Sequence, residues 1–198
     1  MNNIITTLSI EEKKLVKIVD LKKNEILFHE GDLCECVGIV VSGEISIVSY
    51  SYHGKELSLA QLRENMLFGN NLIFSSNPYY KGSIIAKKSA KIGLIYKNDV
   101  IQLLKNNDEF LFLFLQYQSD IGKSLNSQIK LLSFNSARER FLYYLFINND
   151  SIEFISVTEL ANSLSLERET TSRLISSSIK EGIIKRNKNK IWLNKNRV

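Results

Sequence analysis

Apolar positions recur along this chain in two different periods, and the change of period divides it. From about Leu21 to Tyr96 the pattern is one of short β-rich runs: Ile26 to Phe28, Val37 to Val41, Ile45 to Tyr50, Leu57 to Leu62, Ser83 to Ala86 and Lys91 to Tyr96. Gly31, Gly43, Gly54, Gly69 and Gly82 separate these runs and suit turns of positive φ. The spacing predicts a compact antiparallel roll or barrel. Ahead of it, "SIEEKKLVKI" over 9–18 opens on Ser9 with Glu12 three residues on, a capping-box signature that predicts a short helix. Beyond Lys97 the period lengthens. Phe110, Phe114, Tyr117, Ile121, Leu125, Ile129 and Leu132 follow in steps of four and three, which predicts one helix of about 25 residues, roughly 37 Å long. A stripe of that kind also suits packing on the roll. A helix this long outreaches a small roll, however, so a symmetric partner helix explains it better, with Phe114, Tyr117, Ile121, Leu125 and Ile129 as the dimerisation contacts.

The C-terminal third follows a third plan. "SARERFLYYLFIN" at 136–148 reads as a helix. A second helix is capped by Ser156 with Glu159 at the capping-box position, a break falls near Ser165, and a third helix stops at Gly182. Ile183 to Lys185 and Lys190 to Leu193 then flank "RNKN" as a basic hairpin. This order predicts a helix-turn-helix followed by a wing. Small Ala161 sits where two helices would cross, and Leu160, Leu164, Leu166 and Leu174 supply a shared core. In "SLERETTSRLI" the residues Arg168, Glu169, Ser172 and Arg173 fall at i, i+1, i+4 and i+5, on one side of a helix. Taken alone, such a face is an ordinary solvated one. Once the leucines dock the two helices, its chemistry suits base edges: Arg grips guanine bidentately, Glu accepts from cytosine, and Ser and Thr adapt to either.

Charge agrees with that placement. Residues 134–198 hold 11 Lys+Arg against 7 Asp+Glu, while residues 1–133 hold 15 against 14, so the net +5 is concentrated in the last third. Neither a membrane nor an export signal is indicated. The apolar run Phe110 to Leu115 is far shorter than the roughly 20 residues a bilayer requires, and Glu11, Glu12, Lys13 and Lys14 stand where a signal peptide is apolar. These features predict a cytoplasmic protein. Cys34 and Cys36 read as two small residues at a turn between strands, with a redox-responsive thiol as the alternative.

Taken together, "LKKNEILFHEGD", "VGIVVSGEISIV", "HGKELSLAQLRENMLFG" and "RETTSRLI" make nearly the whole chain resemble the CRP/FNR superfamily of bacterial transcription regulators. The resemblance implies an α+β protein with an N-terminal double-stranded β-roll at 1–106, a long dimerisation helix at 107–133 and a C-terminal winged helix-turn-helix at 134–198. It also implies a homodimer on palindromic double-stranded DNA, with RNA polymerase and an unidentified small-molecule effector as further partners. The DNA-binding residues it implies are Arg168, Glu169, Thr170, Ser172 and Arg173, joined by Ser156 and the wing lysines Lys188 and Lys190. Two departures stand out, since Ser165 replaces the usual turn glycine and Glu167 occupies the place of a Ser or Thr helix cap.

The same resemblance puts a phosphate cassette after the roll's "FG", and the effector pocket it implies comprises Gly69, Asn70, Asn71, Tyr80, Lys81 and Ser124. The cassette is degenerate here. Asn70 takes the place of the ribose-binding glutamate, and Tyr80 with Lys81 falls on the Arg-Ser pair that holds a cyclic phosphate. Tyrosine cannot cradle a phosphate and lysine does so only as a point charge, so cyclic AMP and cyclic GMP are not the expected effectors. No cofactor or metal is expected. An iron-sulfur cluster needs four thiolates, and His29 and His53 have no ligand partners at metal spacing. A catalytic constellation is lacking too, since metal-dependent rolls need an H-x-H cluster. A roll that acts only through protein contacts stays open as the alternative to a DNA-binding regulator.

Overall fold

The computed structural model describes residues 4–54 and 56–194, which fall into two compact units, Met1–Asp120 and Ile121–Val198. In the first unit eight strands form two antiparallel four-stranded sheets. The strands are β1 (Lys17–Leu21), β2 (Ile26–Phe28), β3 (Cys36–Ser42), β4 (Glu44–Tyr50), β5 (Glu56–Arg63), β6 (Leu67–Phe68), β7 (Ser83–Ala86) and β8 (Ala90–Tyr96). One sheet runs β1-β8-β3-β6 and the other β2-β7-β4-β5. Their inward residues, among them Ile39, Val40, Ile45, Ile84, Ile92 and Ile95, share one core. The expected roll is present, and all six expected strands fall within it.

The helix expected at 9–18 does not form. Ser9 and Glu12 do make the reciprocal cap, with Glu12 N donating to Ser9 Oγ at 3.2 Å and Ser9 N to Glu12 Oε2 at 2.8 Å. Only a 3-10 turn at Glu12–Leu15 follows, because Lys17–Leu21 pairs with Ala90–Leu94 of β8 in an antiparallel ladder. β-branched Ile18 and Val19 favour that extended pairing over further helix.

Helix α1 (Lys97–Asn106) ends at Asn107, and α2 (Asp108–Ser133) begins directly after it. Asn107 separates them by facing both ways. Its Oδ1 accepts from Phe110 N at 2.9 Å, capping α2, while Nδ2 donates to Thr7 O and to the Glu12 carboxylate at 3.1 Å. Phe110 and Phe114 of α2 are buried in the roll's core, whereas Leu131 belongs to the core of the second unit. The division between units therefore falls inside α2, at Asp120/Ile121, and not at either end of the long helix.

The second unit continues with α3 (Ala137–Ile147), β9 (Ser151–Glu153), α4 (Val157–Leu164), α5 (Arg168–Lys180), β10 (Ile184–Asn187) and β11 (Lys190–Leu193), the strands ordered β10-β11-β9. Phe141, Leu145, Leu160, Leu164, Ile175, Ile184 and Ile191 form its core. Among the described residues no helix is long and apolar enough to cross a membrane.

Candidate nucleic-acid interface and the closed roll

Helices α4 and α5 are joined by three residues, 165–167, and the junction is built from sequence-local bonds. Ser156 Oγ accepts from Glu159 N at 3.1 Å, and the Glu159 carboxylate accepts from Ile155 N at 2.6 Å, so α4 starts at the predicted cap. It ends in a left-handed residue, Ser165 (φ 51°, ψ 46°), with Ser165 N bonded to Asn162 O and Leu166 N to Ala161 O. That is the bonding of a Schellman cap, in which glycine is the usual residue, so serine carries a Cβ where the left-handed region disfavours one. Glu167 makes no side-chain cap on α5, in keeping with its being an atypical residue there.

Helix α5 is anchored by one side and free on the other. Thr171, Ile175 and Ser178 are buried, and Thr171 Oγ1 bonds back to Glu167 O at 3.1 Å. Arg168, Glu169, Ser172 and Arg173 are all exposed, and Thr170 is half-buried beside them. Within the set Arg173 Nη2 lies 3.5 Å from Glu169 Oε2, between side chains each 79% exposed, a pairing too solvated to hold either side chain. Ser156 is exposed but its hydroxyl is already used as a cap. In the β10–β11 hairpin, Lys188 sits at the two-residue turn with φ 48° and an exposed side chain. Lys190 differs, because its Nζ lies 2.8 Å from Glu153 Oε1 and thereby holds that carboxyl below the usual range.

The expected effector residues do not gather around an open space. Tyr80, 3% exposed, is stacked on Phe28 with ring centroids 4.9 Å apart, and its Oη lies 4.0 Å from Cys36 Sγ. Cys34 Sγ donates to Cys36 O at 3.5 Å and to Gly69 O at 3.6 Å. Gly69 is needed here: at φ +73° a Cβ would stand 2.6 Å from Cys36 O and 3.1 Å from Cys34 Sγ. Both cysteines are buried, Cys34 in the connection between β2 and β3 and Cys36 as the first residue of β3, so only Cys34 lies between strands as expected. Burial pushes the Cys34 thiol up and the Cys36 thiol to about 11, with a bond to Tyr80 opposing the shift in both. Both are protonated and poorly nucleophilic at neutral pH. Asn70, 3% exposed, exchanges two bonds with α2: its Nδ2 donates to Gln118 Oε1 at 2.6 Å, and Gln118 Nε2 donates to Asn70 O at 2.9 Å. Asn71, Lys81 and Ser124 are exposed.

The dimerisation stripe needs correction at its N-terminal end. Phe114 is covered by the chain's own core, against Phe110 and Phe74, and Tyr117 Oη accepts from Leu67 N at 2.9 Å and donates to Leu67 O at 3.3 Å. Ile121 is half-buried, while Leu125 and Ile129 are exposed, the latter at 65%. The exposed large apolar residues of α2 are Phe112, Leu115, Leu125, Ile129 and Leu132, and a line of them runs on from Gly122, which is open to a distance of 4 Å. From 122 onward it steps by three, four and three, the spacing of a two-helix seam. Leu125, Ile129 and Leu132 belong to the stripe that the periodicity predicts, while Phe114 and Tyr117 continue the same pattern but are taken up by the roll.

Comparison with known proteins adds the following. Residues 18–107 match the model of the cyclic nucleotide-binding domain family. The chain is similar to the anaerobic regulatory protein of Bacillus subtilis, 25% identical over 176 residues that cover 83% of this chain and 74% of that protein. It is also similar to the cyclic AMP receptor protein of Thermus thermophilus, 24% identical over 163 residues, 80% of this chain and 75% of that one. Among solved structures, a CooA variant from Carboxydothermus hydrogenoformans shares the fold with a TM-score of 0.72 at 21% identity, covering 98% of this chain and 91% of that chain.

Proposed function

Starting from a chain that is a homologue of CRP/FNR-type transcription regulators and carries a domain of the cyclic nucleotide-binding family, we propose that it is a sequence-specific DNA-binding regulator acting as a homodimer. The observation that carries this reading is the outer face of α5: Arg168, Glu169, Ser172 and Arg173 project together, exposed, from a helix whose other face is packed. A helix held in that way by a three-residue turn and followed by a basic hairpin matches a winged helix-turn-helix, with α5 in the major groove and Lys188 on the backbone. Paired through the Leu125–Ile129–Leu132 line of α2, two such helices would enter successive major grooves.

The roll's interior supports a second part of the proposal. Cyclic AMP and cyclic GMP do not switch this protein, because Tyr80, Phe28, Cys34 and Cys36 pack into one another at the cassette position and offer no charge-assisted grip for a phosphate. Any effector has another chemistry, or the dimer is competent without one.

Selection of bound duplexes from a random library tests the main claim. The expected product is a twofold-symmetric motif with half-sites about one helical turn apart. Recovery of no motif would favour the alternative, a roll acting through protein contacts. In light scattering, Leu125→Lys combined with Ile129→Lys should turn the dimer into a monomer by placing two charges in an apolar seam; a dimer that persists would remove α2 from the interface.

A further inference from the structure

Arg140 links the end of α2 to the turn between α4 and α5. It projects from α3, a helix fixed in the core by fully buried Phe141 and Leu145. Its Nη2 donates to Phe134 O at 3.0 Å, the first residue after α2, and its Nη1 donates to Ser165 O at 3.2 Å, the left-handed residue that closes α4. The Nε is buried without a partner among the described residues, so the group is held through its two terminal nitrogens. Two residues earlier on α3, Arg138 Nη2 meets Glu181 Oε2 at 2.6 Å, and Glu181 is the residue that caps the C-terminus of α5. Helix α3 therefore grips the turn before α5 through one arginine and the end of α5 through another.

We infer that Arg140 is a positioning residue for DNA recognition, locking the turn before α5 to the end of α2, an inference that rests on the DNA-binding reading above. Two physical features make the lock necessary. Ser165 adopts a conformation that its Cβ disfavours, so the turn needs an external partner to stay there. Two carbonyls on different elements are bridged by separate nitrogens of one planar, always-charged group, a geometry that a lysine ammonium does not reproduce. The direction in which Arg168, Glu169 and Arg173 point is then set by α2 and α3 together, so a shift at the end of α2 is carried to the reading face.

The test uses the full-length protein with Arg140→Met and Arg140→Lys. Fluorescence anisotropy on the selected duplex and on a random duplex is read beside amide exchange at Leu166, whose N–H bonds Ala161 O at 2.9 Å, and at Leu145 in α3 as reference. Arg140→Met should weaken the selected duplex tenfold or more while changing the random duplex less than twofold. Exchange at Leu166 should speed up at least tenfold with Leu145 unchanged, and Arg140→Lys should recover only part of either loss. Equal acceleration at Leu166 and Leu145, or full recovery by lysine, would overturn the positioning role. If wild-type protein does not distinguish the two duplexes, the DNA-binding reading fails, while the exchange at Leu166 still decides whether the lock exists.

Discussion

The interior of the roll and the outer face of α5 each hold a small group of polar side chains, and they differ in what those side chains have left to give. In the roll, Tyr80 is stacked and buried, Cys34 bonds backbone carbonyls, and Asn70 exchanges a pair of hydrogen bonds with Gln118. On α5, the exposed side chains of Arg168, Ser172 and Arg173 have, among the described residues, only the solvated contact of Arg173 to Glu169. Side chains committed to their own core stabilise the fold, whereas uncommitted ones on a rigid element are available to a ligand. Binding chemistry in this molecule is therefore expected on α5 and not in the roll.

The largest effect should come from Tyr80→Ala. Removing a fully packed aromatic leaves a cavity and should cost about 3–5 kcal/mol of stability in urea unfolding, while Arg173→Ala should stay within about 0.5 kcal/mol of wild type. A loss below 1 kcal/mol for Tyr80→Ala would mean that the roll is not closed by that ring.

Alkaline pH should act next. The Cys36 thiol, ordinarily near 9.0, is pushed to about 11 by burial, so the folded state favours its protonated form. That contribution is complete below pH 9 and is lost as pH rises toward 11, a decline of about 2–3 kcal/mol from this group. Cys36→Ala should flatten the profile over this window. An identical profile in the variant would show that other groups carry the titration.

Much of this contrast was legible in the sequence, for reasons that particular residues make clear. The roll's strands announced themselves because β-rich runs between glycines carry a local signal, and α4 did so because Ser156 and Glu159 form its cap within four residues. The shared side of Arg168, Glu169, Ser172 and Arg173 followed from helical spacing, and its exposure from the leucines that dock α5 against α4. What stayed hidden depends on partners distant in sequence. β1 exists through its pairing with β8, 69 to 77 residues away, and overrides the helix that the Ser9–Glu12 cap suggests. Phe114 and Tyr117 fit a partner-facing stripe as well as they fit the roll, and only the positions of Phe74 and Leu67 decide between them. The bond from Arg140 to Ser165 spans 25 positions and has no motif to reveal it.

The smallest effects should separate the two wing lysines. Lys188→Ala should lower the salt slope of DNA binding by about one, as expected for one lost phosphate contact. Lys190→Ala should lower it less, because its ammonium is already paired with Glu153. Glu153→Gln should release Lys190 and tighten binding to all sequences alike; weaker binding in that variant would argue that the pair holds the wing in shape.

The central claim, that the exposed face of α5 reads base sequence, is tested most directly by the affinity of Arg173→Ala for its selected duplex and for a random one, measured by anisotropy at a single salt concentration. The account predicts a loss of about 1–3 kcal/mol on the selected duplex, confined to one base position, and no change on the random one. Equal losses on both duplexes would show that Arg173 meets only phosphate, and would contradict the assignment of α5 as the reading helix.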